Sequence, residues 1–249
     1  NCIFLGTEKA RILVDAGMSG NSIAKSLCDI GERPDSINAI FITHEHSDHI
    51  KGAGILSRKY NIPIYANEIT WMAMDAEIGP VSPENRKLLS YTGLEINDIV
   101  INSFSISHDA VSPVGYVFTS KNRKVSVATD TGMVTEQLRH NLAGSDLVLI
   151  EANHDTEMLK AGKYPWRLKQ RILGEKGHLS NEAAGELAVE LAQGGTRRFF
   201  LGHLSHENNF PELAFETVKG QLAEKQIIAG KDIYLRVAPR DRNSGMVVL

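Results

Sequence analysis

Residues 43–49 read Thr-His-Glu-His-Ser-Asp-His. His44, His46, Asp48 and His49 stand too close together to be explained by packing, because imidazole and carboxylate groups are costly to bury unless paired or bound to a metal. The run follows an apolar stretch, Ala39-Ile40-Phe41-Ile42, and precedes a helix-like segment containing Gly52 and Gly54. In a tight loop after a strand, alternate residues aim in different directions. His44 and His46 can then serve one metal while Asp48 and His49 serve a second. Imidazole nitrogen and carboxylate oxygen suit Zn²⁺, Mn²⁺ or Fe better than Ca²⁺. The competing reading is a histidine-rich surface loop with no ligand role, and the density of ligands behind a buried strand argues against it.

Such side chains need a rigid framework. Apolar, β-rich runs at 10–15, 39–43, 62–66, 99–106, 114–118, 125–129, 146–150, 197–201 and 232–237 predict strands. Ile23, Leu27 and Ile30 are spaced for one face of a helix over 19–30. A second helix is predicted over 181–193, with Ser180 as N-cap, Glu182 complementing the N-terminal dipole and Gly194 as the stop. A third is expected from Pro211 to Lys225. Early strands lie close together and later ones alternate with helices, an α/β pattern with mixed strand connections. No repeat, low-complexity tract or Pro/Ser-rich linker divides the 249 residues, so one domain over 1–249 is expected.

Composition excludes several classes. With 42% apolar and 23% charged residues the chain has ordinary globular composition. Its apolar-rich stretches, such as 147–150 and 198–201, are far too short to span a bilayer, so no membrane partner is expected. No signal peptide is visible. The chain opens on Asn1-Cys2-Ile3-Phe4, which reads as entry in mid-strand, and upstream residues are expected. Two cysteines, Cys2 and Cys28, without CxxC spacing, fit a reducing cytoplasm and neither a disulfide framework nor a cysteine zinc site. A net charge of −3 means that nucleic-acid binding has to come from a local patch.

The HxHxDH run after a strand resembles the signature of the metallo-β-lactamase superfamily, and the resemblance extends over almost the whole chain. It implies an α/β, four-layer αββα sandwich. Asp15, ending Ile-Leu-Val-Asp, matches the first motif of that family and would support the metal loop by hydrogen bonding. His108 in FSISHD matches the third motif, Asp130 in VATDTG the fourth, and His203 in FFLGHLSH the last. The resemblance implies one ion held by His44, His46, His108 and Asp130, and a second held by Asp48, His49, His203 and Asp130. Singly, each of these positions also has a plainer role. Asp15 and Asp130 suit turns, His108 suits a loop, and His203 can bond a carbonyl at a strand end. Their order and their common placement at strand ends favour ligation.

The branch must come from other residues. Two-zinc β-lactamases usually carry cysteine where this chain has Asp130. Glu151 ends the run LVLI, and His178 sits in Gly-His-Leu-Ser just before the helix at 181–193. That layout resembles the tRNA 3′-processing endonucleases and related phosphodiesterases, in which such a histidine, oriented by a glutamate, protonates the leaving oxygen. The plainer reading is a helix-capping His178 and a solvated Glu151. The segment 160–176 carries Lys160, Lys163, Arg167, Lys169, Arg171 and Lys176 against the single acid Glu175, with Tyr164 and Trp166 interleaved. Cations with aromatics suit a single-strand channel; a solvated helix face fits equally well. Asp130 and His203 lie too close in sequence for the large inserted domain of RNase J and CPSF-type nucleases.

The compact form, with LVLIEANHD, GHLSNEAA and GHLSHENN, most resembles the YycJ/WalJ/VicX family. That resemblance implies a cytoplasmic exonuclease acting 5′ to 3′ on DNA with two divalent cations, Zn or Mn, with Fe also possible. The expected mechanism is two-metal phosphodiester hydrolysis, with Asp48, His178 and Glu151 catalytic. Arg167, Lys169, Arg171 and His206 are the expected substrate-binding residues. His154, which with Asp155 follows Glu151, and His206, which follows His203, are close enough to reach the site or a terminal phosphate, the plainer role for each being a surface or supporting one. The alternative is a small-molecule hydrolase of a thioester, lactone or cyclic phosphodiester on the same ligands. Residues 73–100 are compatible with a lid or a dimer surface.

Overall fold

The computed structural model describes residues 1–90 and 93–249. Its first sheet takes, in spatial order, β1 (Ile3–Gly6), β2 (Arg11–Val14), β3 (Ala39–Phe41), β4 (Ile64–Ala66) and β5 (Arg86–Leu88). β1 and β2 are antiparallel, and the remaining neighbours run parallel. The second sheet takes β6 (Leu94–Ile96), β7 (Ile99–Ser105), β8 (Val114–Ser120), β9 (Arg123–Ala128), β10 (Leu147–Glu151), β11 (Arg198–Gly202) and β12 (Tyr234–Val237), with β6 and β12 at its edges. β6 to β9 pair antiparallel, and β9 to β12 pair parallel.

Side-chain alternation along the strands sets the layers. Ile12, Val14, Ala39 and Phe41 face the second sheet and meet Ile99, Ile101, Tyr116 and Phe118. The opposite faces of the same strands, Leu13 and Ile40, pack on α1 (Gly20–Asp29), α3 (Ala53–Tyr60) and α4 (Glu68–Ile78) through Ile23, Leu27, Leu56, Trp71 and Met74. Val117, Val148, Ile150, Phe199 and Leu201 turn to the other side. There they cover α5 (Glu136–Leu142), α8 (Asn181–Gln193) and α9 (Pro211–Glu224) through Leu138, Leu187, Leu191, Val218 and Leu222. The order is helices, sheet, sheet, helices, the four-layer αββα sandwich.

The remaining helices are α2 (Ser47–Ile50), α6 (Thr156–Ala161) and α7 (Trp166–Leu173). Ser19 and Ser180 cap α1 and α8, accepting from Ser22 N and Ala183 N. Pro211 opens α9, where its missing N–H costs nothing. Of the predicted strands, those at 10–15, 39–43, 99–106 and 125–129 end one or two residues earlier than expected, whereas those at 114–118, 146–150 and 197–201 run one or two residues further. Val14, Phe41 and Ala128 are the last sheet residues before Asp15, Thr43 and Asp130, because the chain leaves the ladder there to build the site. Periodicity gave no expectation of β5, β6 or α4 to α7. Apart from Tyr91 and Thr92, which lie outside the described residues, 73–100 forms the end of α4, the edge strand β5, β6 and the start of β7. Among the described residues no helix is long and apolar enough to cross a membrane, and both cysteines are free.

Phe41 sits at the junction of the sheets. Its ring stacks on Tyr65 at 4.9 Å and meets Tyr116 and Phe118 edge-on at 5.7 and 6.3 Å. Phe41→Ala is expected to lower unfolding free energy by about 3–5 kcal/mol, read from the denaturant midpoint. Val248→Ala, at a side chain 87% exposed, should leave that midpoint unmoved.

Candidate metal centre and acid–base pair

Asp15, the residue after β2, is buried and organises the first half of the site. Its Oδ1 accepts from Thr43 N at 2.8 Å, its Oδ2 accepts from Thr43 Oγ1 at 2.9 Å, and His49 Nδ1 lies 2.7 Å from Oδ2. One carboxylate thus ties the end of β2 to the turn after β3 and to α2. The backbone repeats the tie: Ala16 N donates to His49 O and Gly52 N to Ala16 O, each at 2.7 Å. Gly17 lies so close to this turn that a Cβ there would fall 1.5 Å from Asp48 O. Only glycine permits that approach.

Asp15, Asp130 and His203 have φ of 59°, 57° and 54°. Non-glycine residues seldom adopt this left-handed region, and they do so where surrounding structure holds them. Each is the first or second residue beyond its strand, so the chain turns sharply off the sheet and aims the side chain across the strand ends. His108 lies three residues beyond β7, in the loop that leads to β8. Gly132, after β9, packs so tightly on the loop before His178 that a Cβ would lie 2.4 Å from Glu175 O and Gly177 N.

The ring orientations follow from the acceptors around them. Thr43 Oγ1 gives its proton to Asp15, so at 2.9 Å it accepts from His44 Nδ1. His49 Nδ1 faces Asp15 Oδ2, His108 Nδ1 faces Gly177 O at 3.2 Å, and His203 Nδ1 faces Glu151 Oε1 at 2.7 Å. Four histidines therefore hold N–H at Nδ1 and turn Nε2 inward. His46 instead presents Nδ1, 3.1 Å from His44 Nε2 and 3.4 Å from His108 Nε2. Asp130 reaches between the rings. Its Oδ1 lies 3.3 Å from His203 Nε2 and 3.9 Å from His108 Nε2, and its Oδ2 lies 3.4 Å from His49 Nε2. Asp48 Oδ2 stands 3.5 Å from His49 Nε2 and 3.6 Å from His203 Nε2.

This donor set fits divalent cations. Asp130 Oδ2 is buried with no hydrogen-bond partner, an expensive condition unless something positive meets it. Converging nitrogens, those of His44, His49, His108 and His203 anchored through their other ring atom, form the outer arrangement that orients imidazole for a metal. Two groups could each hold an ion: His44, His46 and His108, and Asp48, His49 and His203, with Asp130 reaching both. His178 and Glu151 also converge with Asp130 and His203. Glu151 takes up Nδ1 of both histidines, which makes that quartet an acid–base cluster.

Charge states follow from burial and neighbours. Burial, reinforced by nearby His49, pushes His44 down to about 2, so it stays neutral, the ligand form. Burial also pulls His49 down, but Asp130 and Asp15 outweigh it and leave it raised to about 10. The carboxylates around His49 thus demand positive charge. Burial pulls Asp48 up and is outweighed by His203 and His49, which hold it low and ionised.

Glu151, fully buried at the end of β10, receives His178 Nδ1 at 2.6 Å and His203 Nδ1 on the same Oε1. Its Oε2 accepts from Thr131 N at 2.9 Å and Leu179 N at 3.4 Å. Burial pushes it up, but the two histidines hold it below the usual range. His178 is correspondingly raised, because Glu151 outweighs the loss of solvent. Its ring centroid is 5.0 Å from that of His108 and 5.2 Å from that of His203.

The expected substrate cations diverge. Arg167 is exposed, with no ion pair or hydrogen bond among the described residues. Lys169 needs correction: it is buried and its Nζ donates to Lys160 O and Gly162 O, both at 2.6 Å, fastening α7 to α6. Arg171 is bound to Asp109, whose Oδ1 lies 3.3 Å from His108 Nε2. His206 is exposed beside Glu207. Asp155 caps α6 by accepting from Met158 N, and His154 is buried with neither ring nitrogen partnered. Sequence reading passed over Thr43, Asp109 and Asn1. Thr43 and Asp109 flank predicted ligands, a usable signal. Asn1 Nδ2 lies 3.1 Å from Asp48 Oδ2 and 2.9 Å from His49 Nε2, and nothing in the sequence announces this.

Residues 10–204 match the β-lactamase superfamily domain. The chain is 45% identical over 235 residues to exodeoxyribonuclease WalJ of Streptococcus pneumoniae, covering 93% of this chain and 87% of that one. It is 40% identical over 232 residues to exodeoxyribonuclease YycJ of Bacillus anthracis, covering 93% and 88%. Among solved structures it superposes on the metallo-β-lactamase fold protein YhfI of Bacillus subtilis with a TM-score of 0.70 at 18% identity, covering 98% of this chain and 89% of that one. That last likeness concerns the fold alone.

Asp15→Asn keeps the size of the side chain and removes the charge that anchors His49. Metal retained after dialysis should fall, with affinity lower by about 10–100-fold, while circular dichroism stays unchanged. Full retention would mean that Asp15 only shapes the turn.

Proposed function

The chain belongs to the β-lactamase superfamily, and we propose that within it the protein is a metal-dependent exonuclease that shortens DNA from the 5′ end by phosphodiester hydrolysis. The observation that carries this reading is the His178–Glu151 pair set against a convergent cluster of imidazole and carboxylate donors. The relatives named exodeoxyribonuclease point to the same class of substrate.

His44, His46, His108 and Asp130 would hold one cation, and Asp48, His49, His203 and Asp130 a second, with Zn²⁺ or Mn²⁺ as the first candidates and iron as a further one. Bound there, divalent cations supply charge neutralisation for a phosphodiester and lower the pKa of water towards about 7. The chain's own groups do the rest. Asp48 has its side chain 59% exposed and is held ionised; it faces the open side of the site, where it orients the attacking water and can accept its proton. Glu151 engages His178 Nδ1, so the transferable proton sits on Nε2. His178 gives that proton to the leaving 3′ oxygen, a transfer worth about 10²–10⁴-fold in rate. Because Glu151 also bonds His203, one carboxylate fixes the acid relative to the metal site. Arg167 is free to meet a backbone phosphate.

A second reading keeps the same cluster and a smaller substrate: a thioester, a lactone or a cyclic phosphodiester. It draws support from Lys169, buried on two carbonyls, and Arg171, paired with Asp109, which leave a thinner basic track than a polymer channel usually has.

End-labelled single- and double-stranded DNA, and RNA, incubated with Mn²⁺, Zn²⁺ or chelator should separate the two. Progressive, chelator-sensitive shortening of DNA from its 5′ end is expected, with kcat about 10²–10⁴-fold lower in His178→Ala and metal content unchanged. Turnover of a small ester without cleavage of any polymer would replace the exonuclease reading with the second one.

A further inference from the structure

The two tryptophans stand in opposite environments. Trp71 is 1% exposed, its Nε1 donates to Lys87 O, and the Arg86 guanidinium lies 4.5 Å over its ring. Trp166, the first residue of α7, is 65% exposed. Among the described residues no aromatic ring stacks on it and no cation covers it. A single exposed apolar side chain is ordinary on a protein surface; the surroundings of this one are not. Lys163 and Arg167 flank it, both exposed and without an ion-pair or hydrogen-bond partner among the described residues.

The helix that carries Trp166 is fastened to the site. Lys169 holds α7 to the end of α6, Arg171 binds Asp109 beside His108, and His178 N donates to Ile172 O at 3.0 Å. The C-terminal end of α7 therefore lies beside the centre, and Trp166 stands at its far end. At a rise of 1.5 Å per residue, the Trp166 backbone stands about 7–8 Å beyond Arg171 along the helix axis, roughly two base steps of a nucleic-acid strand. A π face with two free cations beside it, at that spacing from the rim of a phosphodiester-cleaving site, complements a base and its adjoining phosphates.

We propose that Trp166 is a stacking platform for a nucleobase of the single-stranded substrate, with Lys163 and Arg167 taking the phosphates on either side; this rests on the exonuclease reading. The platform accepts any base, because every base presents a π face. It adds grip on the strand without entering the chemical step.

The test uses the Mn²⁺-loaded protein and a cleavage-resistant single-stranded oligodeoxynucleotide. Indole fluorescence should quench on binding, since Trp71 is shielded and Trp166 is the reporter, and Trp166→Phe should abolish the quench while retaining part of the affinity. On cleavable oligonucleotides, Trp166→Ala should raise KM by about 5–150-fold with kcat unchanged, the range of base–aromatic stacking. Abasic sites near the cleaved end should remove the difference between wild type and variant. Cleavage without quenching, or an unchanged KM, overturns the platform and leaves the exonuclease standing. Fluorescence that shifts with protein concentration in the absence of DNA would assign the face to a second copy of the chain and also overturns it. No cleavage of any oligonucleotide overturns both readings.

Discussion

Glu151 is a carboxylate with no solvent access that receives four donors: two imidazoles on one oxygen and two backbone amides on the other. Burying an ionised carboxylate is tolerable only when its lone pairs are met in this way. Satisfying it fixes three pieces of chain at once: the turn after β9 through Thr131, the approach to α8 through His178 and Leu179, and the turn after β11 through His203. His178 and one half of the donor cluster cannot move independently of it. Asp15 plays the corresponding part on the first sheet, where Thr43 and His49 depend on one carboxylate. The site is two loop systems, each held by one buried acid, brought face to face by the packing of the sheets.

The backbone carries the cost of that convergence. Asp15, Asp130 and His203 sit in the left-handed region, and Gly17 and Gly132 stand where any side chain would collide with a neighbouring loop. Regular sheet would have pointed these side chains along the pleat normal. A sharp turn at the strand end points them over the top of both sheets, where the donor atoms meet. The aromatic junction of Phe41, Tyr65, Tyr116 and Phe118 lies beneath that rim and keeps the sheets from sliding. Tyr116 Oη donates to Ile42 O at 2.6 Å, so the core reaches up to within two residues of His44.

The basic segment leading to His178 shows how poorly a count of charges describes a surface. Lys160 pairs with Glu157, Lys169 anchors two helices and Arg171 neutralises Asp109. The last two hold α7 in place. Lys163, just before α7, and Arg167 on it are exposed cations without an ion-pair or hydrogen-bond partner among the described residues, and the ring of Trp166 stands exposed between them in sequence. The segment therefore divides into cations spent on structure and cations left exposed, Lys163 and Arg167 near the start of α7 and Lys176 just before His178.

What the sequence determined by itself was the chemistry and its order along the chain. A ligand-dense loop behind an apolar strand, with further acids and histidines at later strand ends, is legible because polar residues seldom terminate buried strands without a reason. The strands that alternate cleanly and the helices with caps were legible for the same local reason. Tertiary structure alone decided which nitrogen of each histidine faces inward, that Glu151 serves His203 as well as His178, that Lys169 is buried, and that Asn1 lies against His49. It also decided β5 and β6, edge strands of three residues each, too short for any periodicity to register. Most of these facts depend on contacts between residues tens of positions apart, such as Asn1 with His49 and Glu151 with His203. A linear pattern records the type and spacing of each group; which partner satisfies it is set only when both sheets have closed and every buried donor has had to find an acceptor.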